Sequence, residues 1–365
     1  MYNHYDYTIL GGGIIGLLTA QQLIDAGATV QVIEKNTFGQ ESSWAGGGIL
    51  LPLYPWRQAD AITQLVLQSL RLYPQLAERL LEATGLDPEW MPCGLLITQN
   101  PDIADAVAWC SRHQIVFSSA SPELLGSLQT KPLNPLWLPE IANARNPRLL
   151  KSLLSYLRKR GVSLVEHCEV INVDRQGIKV NALQTTLGRI AVNELVIAGG
   201  AWSRQLFQFL FGAAVENLPK IAPVKGQMLL YQAAPELLLH IVLEGDRYLI
   251  PRKDGHILAG STVEHDEFNK TTTEQARLEL NEFALNLLPA LANYPLTKHW
   301  AGLRPGTEEG VPYIGRHPEL TNVSINAGHF RNGLVMGPAS AELLSDLLLG
   351  RPCKVAPEPY QFTSH

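Results

Sequence analysis

The chain has 365 residues, enough for two or three domains that each bury a core. Hydrophobic residues make up 46% and charged residues 17%, and the net charge of -5 excludes bulk attraction to nucleic acid or acidic membranes. The four cysteines, Cys93, Cys110, Cys168 and Cys353, are scattered without metal-ligand spacing, so neither a disulfide framework nor a metal site is expected.

In chain order, residues 7–10 form an apolar strand that runs into Gly11-x-Gly13-x-x-Gly16. A helical pattern follows from Ile14 to about Ala26, with Gly27 at its C-cap. A second apolar strand over 29–33 ends at Glu34. Strand, glycine turn, helix, strand and terminal carboxylate together make a dinucleotide fingerprint. Gly11 permits the tight turn, Gly13 lets a pyrophosphate approach the backbone, and Gly16 lets the helix pack on the strand. The helix N-terminus offers N–H groups and a partial positive charge to phosphates. Glu34 is placed to accept from ribose hydroxyls, and its charge disfavours a 2′-phosphate.

The loop 36–50 carries Gly46-Gly47-Gly48 among Ser and Thr, a composition that brings backbone N–H groups close to a ligand. Apolar spacing at Ile62, Leu65, Val66, Ser69, Leu70, Tyr73, Leu76 and Leu80 predicts a helix over 61–81. From 87 to about 145 prolines recur, with a strand-like run at 94–98 and a helix over 103–113. This piece reads as an insertion into a second domain. A helix over 146–160, capped by Gly161, precedes strands at 163–166, 169–174, 177–181 and 194–198. The last runs into Gly199-Gly200-Ala201-Trp202-Ser203 and reads as a return to the dinucleotide sheet. Strands at 226–231, 248–251 and 256–260 and a helix over 273–288 follow. A strand at 323–326 then leads into a helix over 338–349. Met1 to Asp6 has no basic n-region, and no run reaches the ~18–20 apolar residues of a membrane span. Cytoplasmic residence and no membrane partner are the default expectations.

Three further motifs complete the pattern: Ala301-Gly-Leu-Arg-Pro-Gly-Thr307, Pro312-Tyr-Ile-Gly-Arg-His-Pro318 and Gly328-His-Phe-Arg-Asn-Gly333. With them, nearly the whole chain resembles the FAD-dependent amine oxidoreductases of the D-amino acid oxidase type. Within that family it is similar to the branch that oxidises glycine and is associated with thiamine thiazole synthesis. The expected fold is an α/β FAD-binding domain, Rossmann-like and of glutathione-reductase type, built from 1–87, 147–222 and 298–365. An α+β substrate domain with a mostly antiparallel sheet is expected from 88–146 and 223–297.

The resemblance implies site residues position by position. Ile14 and Ile15 would lie on the pyrophosphate turn, and Glu34 and Lys35 would hold the ribose and flank the adenine. Ser42 and Ser43 would bond the phosphates or ribityl chain, and Val170 would meet the adenine through its backbone. Gly47, Gly48 and Ile49 would run along the isoalloxazine edge. His329, Phe330, Arg331, Asn332, Gly333, Leu334 and Val335 would border the flavin pyrimidine ring, His329 by cofactor contact alone. Arg304 and Arg331 match the substrate-side arginines, and Tyr248 the active-site tyrosine. Arg304 can clamp a small amino acid by its carboxylate in a bidentate pair, from a stiff loop between Gly302 and Gly306. A helix start near Pro338 would aim its dipole at the flavin N1–C2=O edge.

The implied reaction is oxidative deamination, with molecular oxygen as acceptor and a homo-oligomer, a tetramer, as the assembly. FAD would be non-covalent, because 304–316 has no cysteine where related sarcosine oxidases attach their flavin. Ile49, Tyr54, Asp246 and Val263 differ from the residues expected around the family's pocket, which opens the substrate range. The rival readings are a D-amino acid dehydrogenase that passes electrons to a quinone, a flavoprotein without turnover, and an NAD-dependent dehydrogenase. The last is opposed by the lack of a second fingerprint.

Overall fold

The computed structural model describes residues 4–212 and 215–362, so the start of the N-terminal stretch read above lies outside the described residues. Tyr7–Leu10 is buried along its whole length, as a parallel strand in mid-sheet requires. Val30–Ile33 lies on one side and Glu194–Ile197 on the other, both parallel, with Leu10 beside Ile33 and Ile197. Val323–Ala327 and Ser163–Val165 extend the sheet in opposite directions, and Tyr313–Arg316 closes one edge antiparallel. The turns after Leu10, Ile33, Ile197 and Ala327 therefore open along one edge of this six-stranded sheet. The chain steps away from Tyr7–Leu10 in both directions, and a ligand crevice belongs at that switch point.

Successive residues of these strands feed two cores. Ile9, Val32 and Val196 pack with the helices Ile14–Asp25, Asp60–Thr84, Asn146–Lys159 and Gly333–Leu349. Leu10, Ile33 and Ile197 pack with Phe207 and Phe211 of Ser203–Phe211 and with a three-stranded sheet that contributes Leu183. Asp60–Thr84 buries Ile62, Leu65, Val66, Ser69, Tyr73, Leu76 and Leu80, the stripe a 3.6-residue period produces. It stops at Gly85, whose φ of 71° suits glycine at a helix C-cap.

The second sheet has eight strands, antiparallel except where Ile241–Glu244 meets Leu95–Ile97. Glu274–Leu287 packs on it through Leu280 and Ala284, with Thr273 as N-cap. Two expectations change here. Leu296–Gly306 is a full strand paired along its length with Ala222–Gln232. Residues 298–306 thus lie in the eight-stranded sheet, although the sequence reading placed 298–365 with the dinucleotide sheet. The last helix also begins at Gly333 and not near Pro338, after a 3-10 turn at Phe330–Asn332. Proline inside a helix leaves one carbonyl without its N–H partner. Here the Tyr73 hydroxyl donates to the freed Leu334 carbonyl, and the Ala339 N–H turns to Ser69 Oγ at 3.0 Å. Among the described residues no helix is long and apolar enough to cross a membrane.

Candidate active site

A cavity of about 740 Å³ opens where the turns of the parallel sheet face the eight-stranded sheet. That volume suits a cofactor or ligand site. Gly11, Gly13, Ile14, Ile15, Glu34, Lys35, Ser42, Ser43, Gly47, Gly48, Ile49 and Val170 all line it. So do Tyr248, Arg304, His329, Phe330, Arg331, Gly333 and Leu334. Gly16, Asn332 and Val335 do not. Gly16 acts from behind, since a Cβ there would overlap the Gly11 carbonyl oxygen.

At the first turn, Gly11 has a φ of 114° and packs against the Ala198 carbonyl. The Ile14 N–H donates to Ser43 Oγ at 2.8 Å, so this amide is engaged and the Ser43 hydroxyl hydrogen stays available to a ligand. Glu34 is held by N–H groups of Gly12 and Asn36, each at 2.8 Å, one on each carboxylate oxygen. Lys35 pairs with Glu169 at 2.7 Å, and both line the cavity. Across the opening, Lys270 pairs with Glu41 at 2.9 Å, and both line the cavity.

The triple glycine is wedged between the sheets. A Cβ on Gly47 would stand 2.8 Å from Ile250 Cδ1, and Gly48 has a φ of 86°. Arg252 staples this loop: Nη2 donates to the Gly47 carbonyl at 2.7 Å, and Nη1 donates to Asn143 Oδ1 at 2.8 Å. Arg252 is buried, and burial pushes its guanidinium down to about 10. Sequence reasoning missed Arg252, because its partners lie far away in the chain and no local spacing announces them. Trp202, Gly226 and Lys270 were missed as cavity residues for the same reason.

Tyr248, on Arg247–Pro251, and Arg304 bring the second sheet into the site. Arg304 stands within Leu296–Gly306, near its end and opposite Val224, so a ladder and not a loop holds it. Its Nη1 donates to the carbonyls of Thr262 at 3.1 Å and Lys225 at 3.3 Å, and its Nη2 donates to Ser261 Oγ at 2.9 Å. Burial lowers its pKa and the nearby Arg331 charge adds to that, while Tyr248 acts in the opposite direction. Arg331 Nη2 is buried without a protein partner. His329 is fully buried with Nε2 at 2.9 Å from Ser340 Oγ, and burial pushes its imidazole down to about 3. Of the four departures noted in the sequence, only Ile49 lines the cavity. The Tyr54 hydroxyl is drawn off to the carbonyl of Gly245 at 2.8 Å, and Asp246 and Val263 lie off the wall.

The cavity fits a flavin dinucleotide. Gly13 carries nothing but Ser43 Oγ near its would-be Cβ, and two backbone N–H groups fix the Glu34 carboxylate on the cavity wall. Asn146 Oδ1, Asn326 Oδ1 and Arg331 Nη2 are buried on lining residues with no protein partner, as groups facing a polar ligand would be. Fold and site together define a dinucleotide-dependent oxidoreductase whose cavity is also lined by two guanidinium groups, Arg304 and Arg331.

The sequence profile of the family described as FAD dependent oxidoreductase (DAO) matches residues 6–347, and the chain belongs to that family. It is an FAD-dependent amino acid oxidase. The glycine oxidase of Pseudomonas putida is 45% identical over 96% of this chain and 96% of its own length. A bifunctional protein ThiO/ThiG of Trichormus variabilis is 31% identical over 94% of this chain, which spans 52% of that protein. The crystal structure of glycine oxidase from Geobacillus kaustophilus superposes with a TM-score of 0.91 at 28% identity, covering 99% of each chain.

Proposed function

We propose that the chain oxidatively deaminates glycine and other small amines, such as sarcosine and small D-amino acids, to the 2-oxo acid and hydrogen peroxide, with release of ammonia, or of methylamine from sarcosine. For glycine, one oxygen and one water are consumed as glyoxylate, ammonia and peroxide form. The observation that carries this reading is that Arg304 and Arg331 both line the cavity and stand close enough for the Arg331 charge to lower the Arg304 pKa. Among the described residues no carboxylate stands within ion-pair distance of either guanidinium. Such a wall asks for an anionic substrate.

In this reading Gly11, Gly13, Ile14, Ile15 and Ser43 cradle the pyrophosphate, Glu34 the ribose, and Gly47 to Ile49 with 329–334 the flavin. When bound, FAD supplies the two-electron acceptor, and oxygen reoxidises it. Arg304 grips the substrate carboxylate and Tyr248 adds a hydroxyl donor. The lining residues from the eight-stranded sheet, Gly226, Met228, Tyr248, Gly302, Arg304 and Pro305, include no carboxylate. Nothing there stabilises an ammonium, and two nearby cations favour the neutral amine whose lone pair drives oxidation. Ile49, Leu51 and Leu53 add an apolar flank that excludes water. A supply role in thiamine thiazole synthesis and a tetramer rest on the family resemblance alone, and cytoplasmic residence is carried as the default expectation.

The test is oxygen uptake and peroxide release by purified protein given glycine, sarcosine and D-alanine. Peroxide equimolar with 2-oxo acid is expected. Quinone reduction without peroxide would install the dehydrogenase reading, and no oxidation of any of the three would overturn both.

A further inference from the structure

Gly226 lies in Ala222–Gln232 opposite Gly302 and lines the cavity. Its φ is not positive, so the backbone would accept any residue. A glycine inside a strand loses packing and chain rigidity, and its use there marks close approach of another group. That group is Arg304: a Cβ at 226 would overlap Cζ, Nη1 and Nη2. The guanidinium lies against the bare backbone of Gly226.

The same guanidinium is tied to residues 261 and 262. Its Nη2 donates to Ser261 Oγ at 2.9 Å and its Nη1 to the Thr262 carbonyl at 3.1 Å. A partly buried network holds this segment in place. Thr262 Oγ1 accepts from the Gln227 N–H at 2.9 Å and donates to Glu264. Glu264 accepts from Gln227 Nε2 at 2.8 Å and pairs with the buried Lys225 at 3.0 Å. With carbonyls of Lys225 and Thr262 on Nη1, both of its hydrogens are engaged. The donors left for a carboxylate are then Nε–H and one Nη2–H, with the Tyr248 side chain close by, and not the Nη1–Nη2 end.

We infer that Gly226 and Ser261 are positioning residues for Arg304: the missing side chain at 226 leaves the space the guanidinium occupies, and the 261 hydroxyl decides which edge meets the substrate. This rests on Arg304 as the carboxylate anchor. Substituting Gly226 moves only the free end of a flexible side chain, so Gly226→Ala disturbs the site and not the fold.

The probe is hydroxyacetate, which keeps glycine's carboxylate but lacks the amine, titrated into FAD-loaded protein and followed by flavin absorbance. In Gly226→Ala and Ser261→Ala, its Kd and the KM for glycine rise about tenfold or more, the scale of losing a hydrogen bond to a charged group. FAD content stays at the wild-type value, and Ser261→Thr, which keeps the hydroxyl, recovers most of the affinity. If both alanine variants bind hydroxyacetate within about twofold of wild type while Arg304→Ala does not, the positioning role is wrong and the anchor stands. If Arg304→Ala itself binds it normally, the anchor falls and this inference falls with it. Should Gly226→Ala fail to fold, the Ser261 pair of variants decides.

Discussion

Arg304 gives three of its five donors to Ser261, Thr262 and Lys225, which leaves a fixed edge and little freedom to reorient. Losing a hydrogen bond to a charged group costs ~1.5–3 kcal/mol, and an unpaired buried partner raises this toward ~5 kcal/mol. Arg304→Ala should therefore lower kcat/KM for glycine by roughly 10²- to 10³-fold with FAD content intact. Arg304→Lys should recover only part, because an ammonium has no planar fork. Near-normal kcat/KM in Arg304→Ala would pass the anchor role to Arg331. His329 makes a different prediction. Its imidazole ordinarily titrates near 6.5 but is held down to about 3 by burial. Between those values the unfolded chain binds a proton that the folded protein refuses. Its contribution is thus complete above pH 6.5 and is lost as pH falls toward 3, by up to about 1.4 kcal/mol per unit. The drop in thermal midpoint from pH 7 to 5 should be smaller in His329→Asn than in wild type; equal drops would show that His329 is not the titrating group.

The last helix shows how one element depends on another. Pro338 removes the N–H that Leu334 would otherwise accept from, and Tyr73 of Asp60–Thr84 supplies the replacement. Tyr73 is fully buried, and burial raises its hydroxyl pKa well above the usual range, so it remains a donor. Tyr73→Phe should cost ~1–3 kcal/mol by stranding a buried carbonyl. Pro338→Ala restores the helical N–H, so Tyr73→Phe should cost less in that background. Strict additivity in the double-mutant cycle would mean that the Tyr73 bond does not compensate for the proline. The helix pattern over 61–81 was legible because its buried face repeats at helical spacing. The true start of Gly333–Leu349 was not, because a proline reads as a beginning when its missing bond is met from a distant helix.

The cavity joins both sheets, so the cofactor links the stability of each to its own occupancy. FAD held without a covalent bond should leave with the supernatant on acid precipitation, while a yellow pellet would contradict this. Added FAD should raise the unfolding midpoint, by ~2.7 kcal/mol of stability at a hundredfold excess over Kd. Gly13→Val should give a folded protein that retains no FAD and unfolds like the wild-type apoprotein, because the side chain fills the space next to Ser43. Recovery of that variant with full FAD would overturn the cradle.

By itself the sequence determined what depends on local order: the strand, glycine turn, helix and Glu34, the helix over 103–113, and a chain-wide likeness to one family. These rest on short-range sterics and hydrophobic period, and neighbours in the chain suffice to express them. Only the tertiary structure decided that Arg304 stands on a strand, that Arg252 staples Gly47, that Tyr54 turns away from the cavity, and that Gly226 makes room for a guanidinium. Each of those is a contact between residues far apart in the chain. Register and packing set such contacts, and a linear pattern carries neither.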